Sequence, residues 1–394
     1  MMADSIHSDL IAADVQTGEL EIDRIAGTRS TPPRALPWHV RFGLSWSTGA
    51  VPVVLILLLG IALGPEGLAI ITPGVLAVLD PVIPVGVAAL GILAGLEFTR
   101  PAAPNRWSLL RKASIESLLT GVLVALGVWL IMPASPEFDG SRVWLIAVMA
   151  GVCASMSASL PDADPDRLRP AAIRMRDLDG LLPSVVGAVV LAFLHSYSPV
   201  ASLGLTVQAA ILALLISATA WLLLNDTVPS TEQRVFSIAA LLLVGGIADY
   251  LSLSALVGGL LAGLFWGYVG GAVRDSIERD VRYLRHPLVV LMLLTAGAKT
   301  TFSIWILLLA VAYLVFRIAG KLAGGWLTRQ AAGVPIPESI ASTLLPPGIF
   351  GIAFALDASS MMEEPATVIL AATVLGSIGS QLVAALWRPT EAHE

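Results

Sequence analysis

Long apolar stretches, separated by short polar segments, fill the chain from about residue 46 to residue 387. At about 1.5 Å of rise per residue, most of them are long enough for a helix to cross a hydrocarbon layer about 30 Å thick. The pattern predicts twelve spans, at about 46–63, 82–98, 113–133, 143–161, 171–197, 204–224, 234–250, 253–270, 287–298, 302–326, 337–356 and 366–387. We therefore expect an all-α polytopic membrane protein with about 12 transmembrane helices.

The polar segments complete this outline. Residues 1–45 are acidic and then proline-containing, which predicts a flexible cytosolic tail ahead of a membrane domain at 46–388 and a short cytosolic C-terminus at 389–394. The piece 67–80 is too short to span and is expected to be a loop or a re-entrant segment. The ninth span, 287–298, is also short, and its helix is expected to begin earlier, within the charged segment that precedes it.

Composition supports the membrane class and narrows the function. The 394 residues are 56% hydrophobic and only 13% charged, with a mean hydropathy of +0.83, whereas about a quarter of the residues in soluble domains are charged. Basic runs with interleaved aromatic residues, metal-ligand spacings, phosphate-binding loops and nucleophile motifs do not occur in the sequence. We therefore predict neither an enzyme, nor a cofactor, nor a nucleic-acid partner.

Lysine and arginine are distributed very unevenly between the two sides of the predicted membrane domain. Nineteen of the 23 fall in segments on the side of the N-terminus, and only Arg142 and Lys299 fall on the other side. By the positive-inside rule this split predicts both termini in the cytosol. We expect an integral protein of the cell membrane, specifically a bacterial inner membrane.

Two spans carry signals for interrupted helices. The fourth ends in a serine-rich run with Ser155 and Ser157, and the eleventh contains Pro346, Pro347 and Gly348. Adjacent prolines remove two backbone donors, and the freed carbonyl groups must line a cavity or be covered by protein. An inverted repeat of spans 1–5 and 8–12 would pair these two spans and bring their breaks together near the midplane. The alternative is that small residues serve only close helix packing.

That alternative is the preferred explanation for a second similarity. Gly91 and Gly95 in span 2 have the same spacing as Gly259 and Gly263 in span 8. Those spans run in the same direction, so we expect small-residue helix packing there and not a repeat.

Charged residues inside the spans are candidates for function, because a charge at that depth requires a partner or a water-filled cavity. Asp179 lies nine residues after Pro170, about 13 Å along the helix axis. It is the predicted ion or proton site, with an ion pair to Arg174 or Arg176 as the structural alternative.

Basic residues within the spans are the expected charge partners. Arg317 and Lys321 are four residues apart and share one face of span 10. Arg317 would be a fixed countercharge, while Lys321 would either lie buried or extend to the cytosolic surface. Asp249, late in span 7, is the predicted carboxylate partner of a cation, whereas Glu116 is expected to be interfacial.

Four segments together resemble the monovalent cation:proton antiporter superfamily, specifically the sodium/hydrogen exchanger and Kef-type membrane domain. Leu58–Leu68 resembles the glycine-rich signature of its first core helix, and Ala94–Phe98 resembles the Ala-Gly-Leu-Glu end of the next. Ala248–Ser254, with Ala262–Leu264, is similar to a later helix pair of the family. Leu345–Gly348 is similar to the family's Pro-Arg-Gly break. The four occur in the family's order over about 300 residues.

The resemblance implies an inverted-repeat antiporter fold with two broken, crossing helices, usually assembled as a homodimer in the lipid bilayer. It also implies exchange of Na⁺ or K⁺ for H⁺, with cation and proton competing for the acid in the fifth span. Asp179 best matches that acid, assisted by Ser155 and Ser157, and Lys321 best matches the base that pairs with a core acid.

The sequence departs from the family pattern in three places. Leu178 or Gly180 stands beside Asp179 where the family has a second polar residue, the fourth-span motif ends in Ser159-Leu160-Pro161, and Pro347 replaces an arginine. Two alternatives to exchange therefore stay open, a Kef-like gated cation efflux path and a non-transporting membrane scaffold or sensor.

Overall fold

A computed structural model describes residues 50–99, 106–132, 143–157, 171–195, 198–225, 230–251, 253–331, 340–361 and 364–386. Within these ranges all regular structure is helical. Contacts divide the chain after Val51, and the helical unit described below begins at Pro52. The predicted tail at 1–45 and the C-terminus at 389–394 lie outside the described residues.

Each of the twelve predicted spans contains at least one helix. The helices are α1 Ala50–Leu63, α2 Pro73–Leu79, α3 Ile83–Phe98, α4 Arg106–Ile131, α5 Val143–Ser155, α6 Ala171–Leu178, α7 Leu181–His195, α8 Pro199–Asn225, α9 Ser230–Tyr250, α10 Ala255–Val269, α11 Gly271–Ala298, α12 Ile304–Gln330, α13 Ile340–Leu344, α14 Ile349–Met361 and α15 Glu364–Leu386. Seven described stretches are long and apolar enough to cross a membrane, and four shorter apolar helices accompany them. The chain is an integral membrane protein of the predicted all-α class.

One segment differs from the sequence prediction, and one boundary agrees with it. The expected loop or re-entrant segment at 67–80 is helical from Pro73, and a 3₁₀ turn at Asp80–Val82 joins α2 to α3. Proline is tolerated in the first turn of a helix, which is where Pro73 and Pro84 lie. The ninth span does begin earlier, as predicted, because α11 is one helix from Gly271 to Ala298 that contains Pro287.

Glycine-mediated contacts bring the backbones of span 2 and span 8 together. Gly91 and Gly95 of α3 face Gly259 and Gly263 of α10, and a Cβ on Gly95 would lie 2.5 Å from the Leu260 carbonyl oxygen. Such a distance leaves no room for any side chain. Close packing through small residues, the explanation preferred from sequence, therefore accounts for both glycine pairs.

A second backbone contact of the same kind joins span 1 to span 9. Gly60 of α1 packs against Gly297 of α11, where a Cβ on Gly60 would lie 3.0 Å from the Gly297 Cα. If spans 1–5 repeat as spans 8–12, the pair 1 and 9 corresponds to the pair 8 and 2. The two glycine contacts are therefore equivalent under the predicted inverted repeat.

Two further helix pairs agree with that symmetry. The third and tenth spans, α4 and α12, pack along each other, and the fourth and eleventh, α5 and α14, are also in contact. The repeat maps each of these pairs onto itself, so both must lie near the symmetry axis. Apart from Asp249 in span 7, the predicted site residues are carried by these same spans and by the fifth.

Replacing Gly259 by Ala is expected to destabilise the protein by about 1–3 kcal/mol, because the added methyl group overlaps the Ala88 backbone of α3. The midpoint of thermal unfolding in detergent measures the effect.

Gly246→Ala in α9 is the matched control. A Cβ there meets no atom within 4 Å, and alanine favours a helix over glycine by about 1 kcal/mol. Equal midpoints for the two variants would contradict the close approach of α3 and α10.

Candidate ion-binding site

The breaks of the fourth and eleventh spans meet each other. Helix α5 ends at Ser155, and Met156 and Ser157 continue without helical structure. In the eleventh span α13 ends at Leu344 and α14 begins at Ile349, so the unwound piece contains the predicted Pro346, Pro347 and Gly348.

Serine hydroxyl groups satisfy the carbonyl groups that unwinding sets free. The Ser157 Oγ donates to the Leu344 carbonyl oxygen at 2.8 Å, which links the two breaks directly. The Ser380 Oγ of α15 donates to the next carbonyl, that of Leu345, also at 2.8 Å. These bonds satisfy backbone groups that could not face lipid.

The fifth span contains a third break, which sequence reasoning did not anticipate. Helix α6 ends at Leu178 and α7 begins at Leu181, so Asp179 and Gly180 form the joint between them. Pro183 explains this interruption, because it has no N–H to donate to the carbonyl group of Asp179 four residues earlier. The Gly180 carbonyl oxygen accepts both the Ser184 N–H at 3.1 Å and the Ser184 Oγ–H at 2.6 Å.

Asp179 is fully buried at this joint. The backbone N–H of Ser157 donates to both of its carboxylate oxygens, at 3.1 Å and 3.0 Å. It forms an ion pair with the Lys321 Nζ, which lies 3.3 Å from Oδ2. The ion pair to Arg174 or Arg176, the structural alternative, is therefore not what neutralises this carboxylate.

Lys321 lies at the centre of the site and is also fully buried. Its Nζ donates to the Ser155 carbonyl oxygen at 2.6 Å and lies 3.0 Å from Glu116 Oε1 and 3.3 Å from Asp179 Oδ2. An ammonium group has three N–H donors, and these three acceptors use them all. Lys321 therefore does not extend to the surface.

Glu116 is the site residue that sequence reasoning missed. The expectation that it is interfacial is wrong, because its side chain is fully buried against Lys321. Helix α4 begins at Arg106, which places Glu116 about 15 Å along the axis. The Thr120 Oγ, four residues later on the same face, donates to Glu116 Oε1 at 3.0 Å. The sequence signal that could have predicted a buried Glu116 is the threonine four residues later, together with a lysine inside another span.

Two glycines on α12 leave room for Glu116 and Thr120 of α4. A Cβ on Gly324 would lie 2.8 Å from the Glu116 Cγ, and one on Gly320 would lie 2.7 Å from the Thr120 Cα. Glycines therefore flank Lys321 along the face that meets α4. This allows the two helix backbones to approach closely enough for a lysine and a glutamate to form a direct ion pair.

Arg317 lies one turn before Lys321 and is also fully buried. Its Nη2 is 3.4 Å from both the Ser157 Oγ and the Pro346 carbonyl oxygen, so it contacts both unwound segments. Its Nε and Nη1 have no hydrogen-bond partner among the described residues. The guanidinium thus places a permanent positive charge beside the two breaks.

Asp249, the carboxylate predicted to pair with a cation, is not part of this cluster. It lies in the last turn of α9 and is exposed. Among the described residues, no ion pair joins it to Lys321 or Arg317. The charged group that acts on it is the carboxylate of Asp80 and not a cation. Asp249 differs from Asp179 because it lies at the end of its helix, away from the interrupted part of the spans that carry Lys321 and Asp179.

The cluster combines two buried carboxylates, two buried cations and the backbone carbonyl groups that unwinding frees, where the fourth, fifth and eleventh spans meet. Oxygen atoms of carboxylates and carbonyl groups are the ligands that small hard cations prefer. Asp179 and the Ser155 carbonyl could therefore hold a cation, provided that Lys321 moves away from them.

The interrupted spans and the buried acid–base cluster lie in a fold that is similar to that of a sodium proton antiporter of known structure. The sodium proton antiporter MjNhaP1 from Methanocaldococcus jannaschii, at pH 8, superposes with a TM-score of 0.62 at 16% identity, covering 87% of this chain and 96% of that one. A structure of the same antiporter from an electron-microscopy map gives a TM-score of 0.58 at 15% identity and covers 94% of each chain. No family model matches the chain, and no curated protein matches it. The predicted fold class is confirmed.

Replacing Lys321 by Met is expected to destabilise the protein by about 3 kcal/mol, because two buried carboxylates lose the charge between them. Adding Glu116→Gln to this variant should restore part of the loss, since only one bare carboxylate then remains. Thermal unfolding in detergent measures both changes.

Lys299→Met is the matched control for that loss. Lys299 pairs with Asp80 at 2.6 Å, but the Asp80 side chain is 40% exposed, so the loss should stay below about 1 kcal/mol. If Lys321→Met cost no more than Lys299→Met, the buried cluster would not stabilise the fold.

Proposed function

We propose that this protein is a secondary active transporter that exchanges a monovalent cation, Na⁺ or K⁺, for protons across a bacterial inner membrane. The observation that supports this most directly is Asp179, a fully buried carboxylate held by the Ser157 amide at the joint of a broken span. The fold shared with a sodium proton antiporter supports the same assignment. We further propose that the protein works as a homodimer with both termini in the cytosol.

In the proposed mechanism, Lys321 holds the site when no cation is bound. The ammonium group neutralises Asp179 and occupies the Ser155 carbonyl oxygen. An arriving cation needs those same oxygen atoms, so the ammonium group has to leave them. Glu116, the closer of its two carboxylate partners, keeps it paired after it has left.

A proton competes with the cation for the same carboxylate. A protonated Asp179 carries no charge and offers one oxygen fewer as a ligand, so it neither holds Lys321 firmly nor binds a cation. Each side of the membrane can thus load Asp179 with either a proton or a cation, but not with both at once. This mutual exclusion couples the two fluxes.

Arg317 and the breaks have a supporting role in this proposal. Arg317 cannot lose its proton, so its charge remains beside the unwound segments throughout the cycle. It faces the Ser157 Oγ and the Pro346 carbonyl oxygen, one from each crossing span. It would hold the two half-helices together while their carbonyl groups exchange partners.

Replacing Asp179 by Asn is expected to abolish cation-dependent proton flux, because the amide still accepts the Ser157 N–H but cannot bind a proton or a cation in exchange. Proteoliposomes that contain a pH-sensitive dye, pulsed with Na⁺, K⁺ or Li⁺, give the measurement.

Asp275→Asn, on an exposed position of α11, should leave the flux unchanged. Full activity of the Asp179 variant would refute the site assignment. Wild-type flux far above carrier rates without proton coupling would favour the gated path, and no wild-type flux with any cation would favour the scaffold.

Glu116→Gln is expected to weaken cation binding, raising the apparent KM for the cation about tenfold, which corresponds to about 1.4 kcal/mol. Without Glu116, Lys321 has Asp179 as its only carboxylate partner, so the cation has to displace a stronger ion pair. Flux against cation concentration in the same vesicles measures the change.

Thr120→Val serves as the control, since it removes only the hydrogen bond to Glu116 Oε1 and should raise the apparent KM less. An unchanged or lower KM in Glu116→Gln would contradict the proposal that Glu116 takes Lys321 away from Asp179.

A further inference from the structure

A second acid is fully buried away from the Lys321 cluster. Asp357 lies in α14, the second half of the eleventh span, eight residues after Ile349 and therefore about 12 Å along the axis from the break. Its Oδ2 accepts the backbone N–H of Ala255, the first residue of α10, at 3.1 Å. Its Oδ1 has no hydrogen-bond partner among the described residues.

The surroundings of Asp357 do not neutralise a negative charge. The Ser254 hydroxyl is buried and near enough to act on the carboxyl group, although its Oγ forms no well-aligned hydrogen bond to any described residue. The charged group that acts on Asp357 from the neighbouring helices is Asp249 of α9, which is itself an acid. Among the described residues, no lysine or arginine forms an ion pair with Asp357.

Capping of α10 does not by itself stabilise an anion at this position. A carboxylate at a helix N-terminus is stabilised only modestly, even in favourable buried geometry. Burying an unpaired carboxylate costs more free energy than this even after the protein relaxes, and the nearby Asp249 carboxylate adds to this cost. The helix end therefore offsets only part of it, and a proton on Oδ1 removes the rest.

We infer that Asp357, together with Ser254, forms a second proton-binding site, separate from Asp179. With a proton on Oδ1, the carboxyl group donates to the Ser254 Oγ, which gives both unpartnered atoms a hydrogen bond. Oδ2 continues to accept from Ala255, so α10 keeps its cap whether or not the proton is present. This inference does not depend on transport, because the proton can be detected in the purified protein.

Infrared spectroscopy of the purified full-length protein in lipid nanodiscs tests the site at neutral pH. The C=O stretching band of a protonated carboxylic acid, which shifts in D₂O, should be present in the wild-type protein and lose intensity in Asp357→Asn. The amide still caps α10, so the thermal midpoint should stay close to that of the wild type. Asp357→Ala removes the cap as well and should lower the midpoint.

Two further variants make the result decisive. Asp179→Asn should retain the band assigned to Asp357, which separates the two sites and also separates this test from the test of transport. Ser254→Ala should shift that band, because the carboxyl group loses its acceptor. A wild-type band that is the same in Asp357→Asn and in Ser254→Ala would overturn the inference and leave Asp357 as an ionised helix cap.

Discussion

One ammonium group organises the centre of this protein. The Lys321 Nζ lies within 3.3 Å of a carbonyl oxygen of span 4, a glutamate of span 3 and an aspartate of span 5. Buried ions are tolerated only when their geometry is good and every remaining donor is used. The breaks in spans 4 and 5 meet that requirement, because unwinding exposes the Ser155 carbonyl and places Asp179 at a joint.

Close helix packing makes this cluster possible. Gly320 and Gly324 flank Lys321 and let α12 approach α4 at Thr120 and Glu116. Larger residues would separate the helices, and the lysine and glutamate would then lie too far apart to pair. Lys112 of α4 is a second buried lysine in this contact, nearer the helix end, and its Nζ donates to the Thr328 carbonyl oxygen at 2.8 Å. The contact between the third and tenth spans thus combines glycines, which allow close packing, with buried lysines.

Much of the fold was predictable from the sequence, because hydropathy locates spans and adjacent prolines locate a break. The sequence pointed to Asp179, Ser157 and Lys321 as site candidates, and all three are buried. The depth of Glu116 was not predictable from hydropathy, since Arg111 and Lys112 precede it and suggest an interface. Asp357 was not considered, because the predicted span ended one residue before it.

The third break shows a different limit of sequence reasoning. Pro183 is a single proline near the start of an apolar run, and such a residue is compatible with an intact helix. Its effect depends on Gly180, whose carbonyl oxygen accepts both the Ser184 N–H and the Ser184 Oγ–H. Whether a helix breaks there is decided by what surrounds the joint, and a single sequence does not contain that information.

The position of Asp179 between α6 and α7 has a mechanical consequence. A side chain in the middle of a rigid helix can change its distance from a neighbour only if the whole helix moves. Asp179 lies next to Gly180 at the joint between two helices, where the backbone dihedral angles are not fixed by a helix. A small rotation about these angles would move the carboxylate toward or away from the Lys321 ammonium group while α6 and α7 remain packed. In the proposed exchange, loading and unloading of the carboxylate would therefore not require a large rearrangement of the helical bundle.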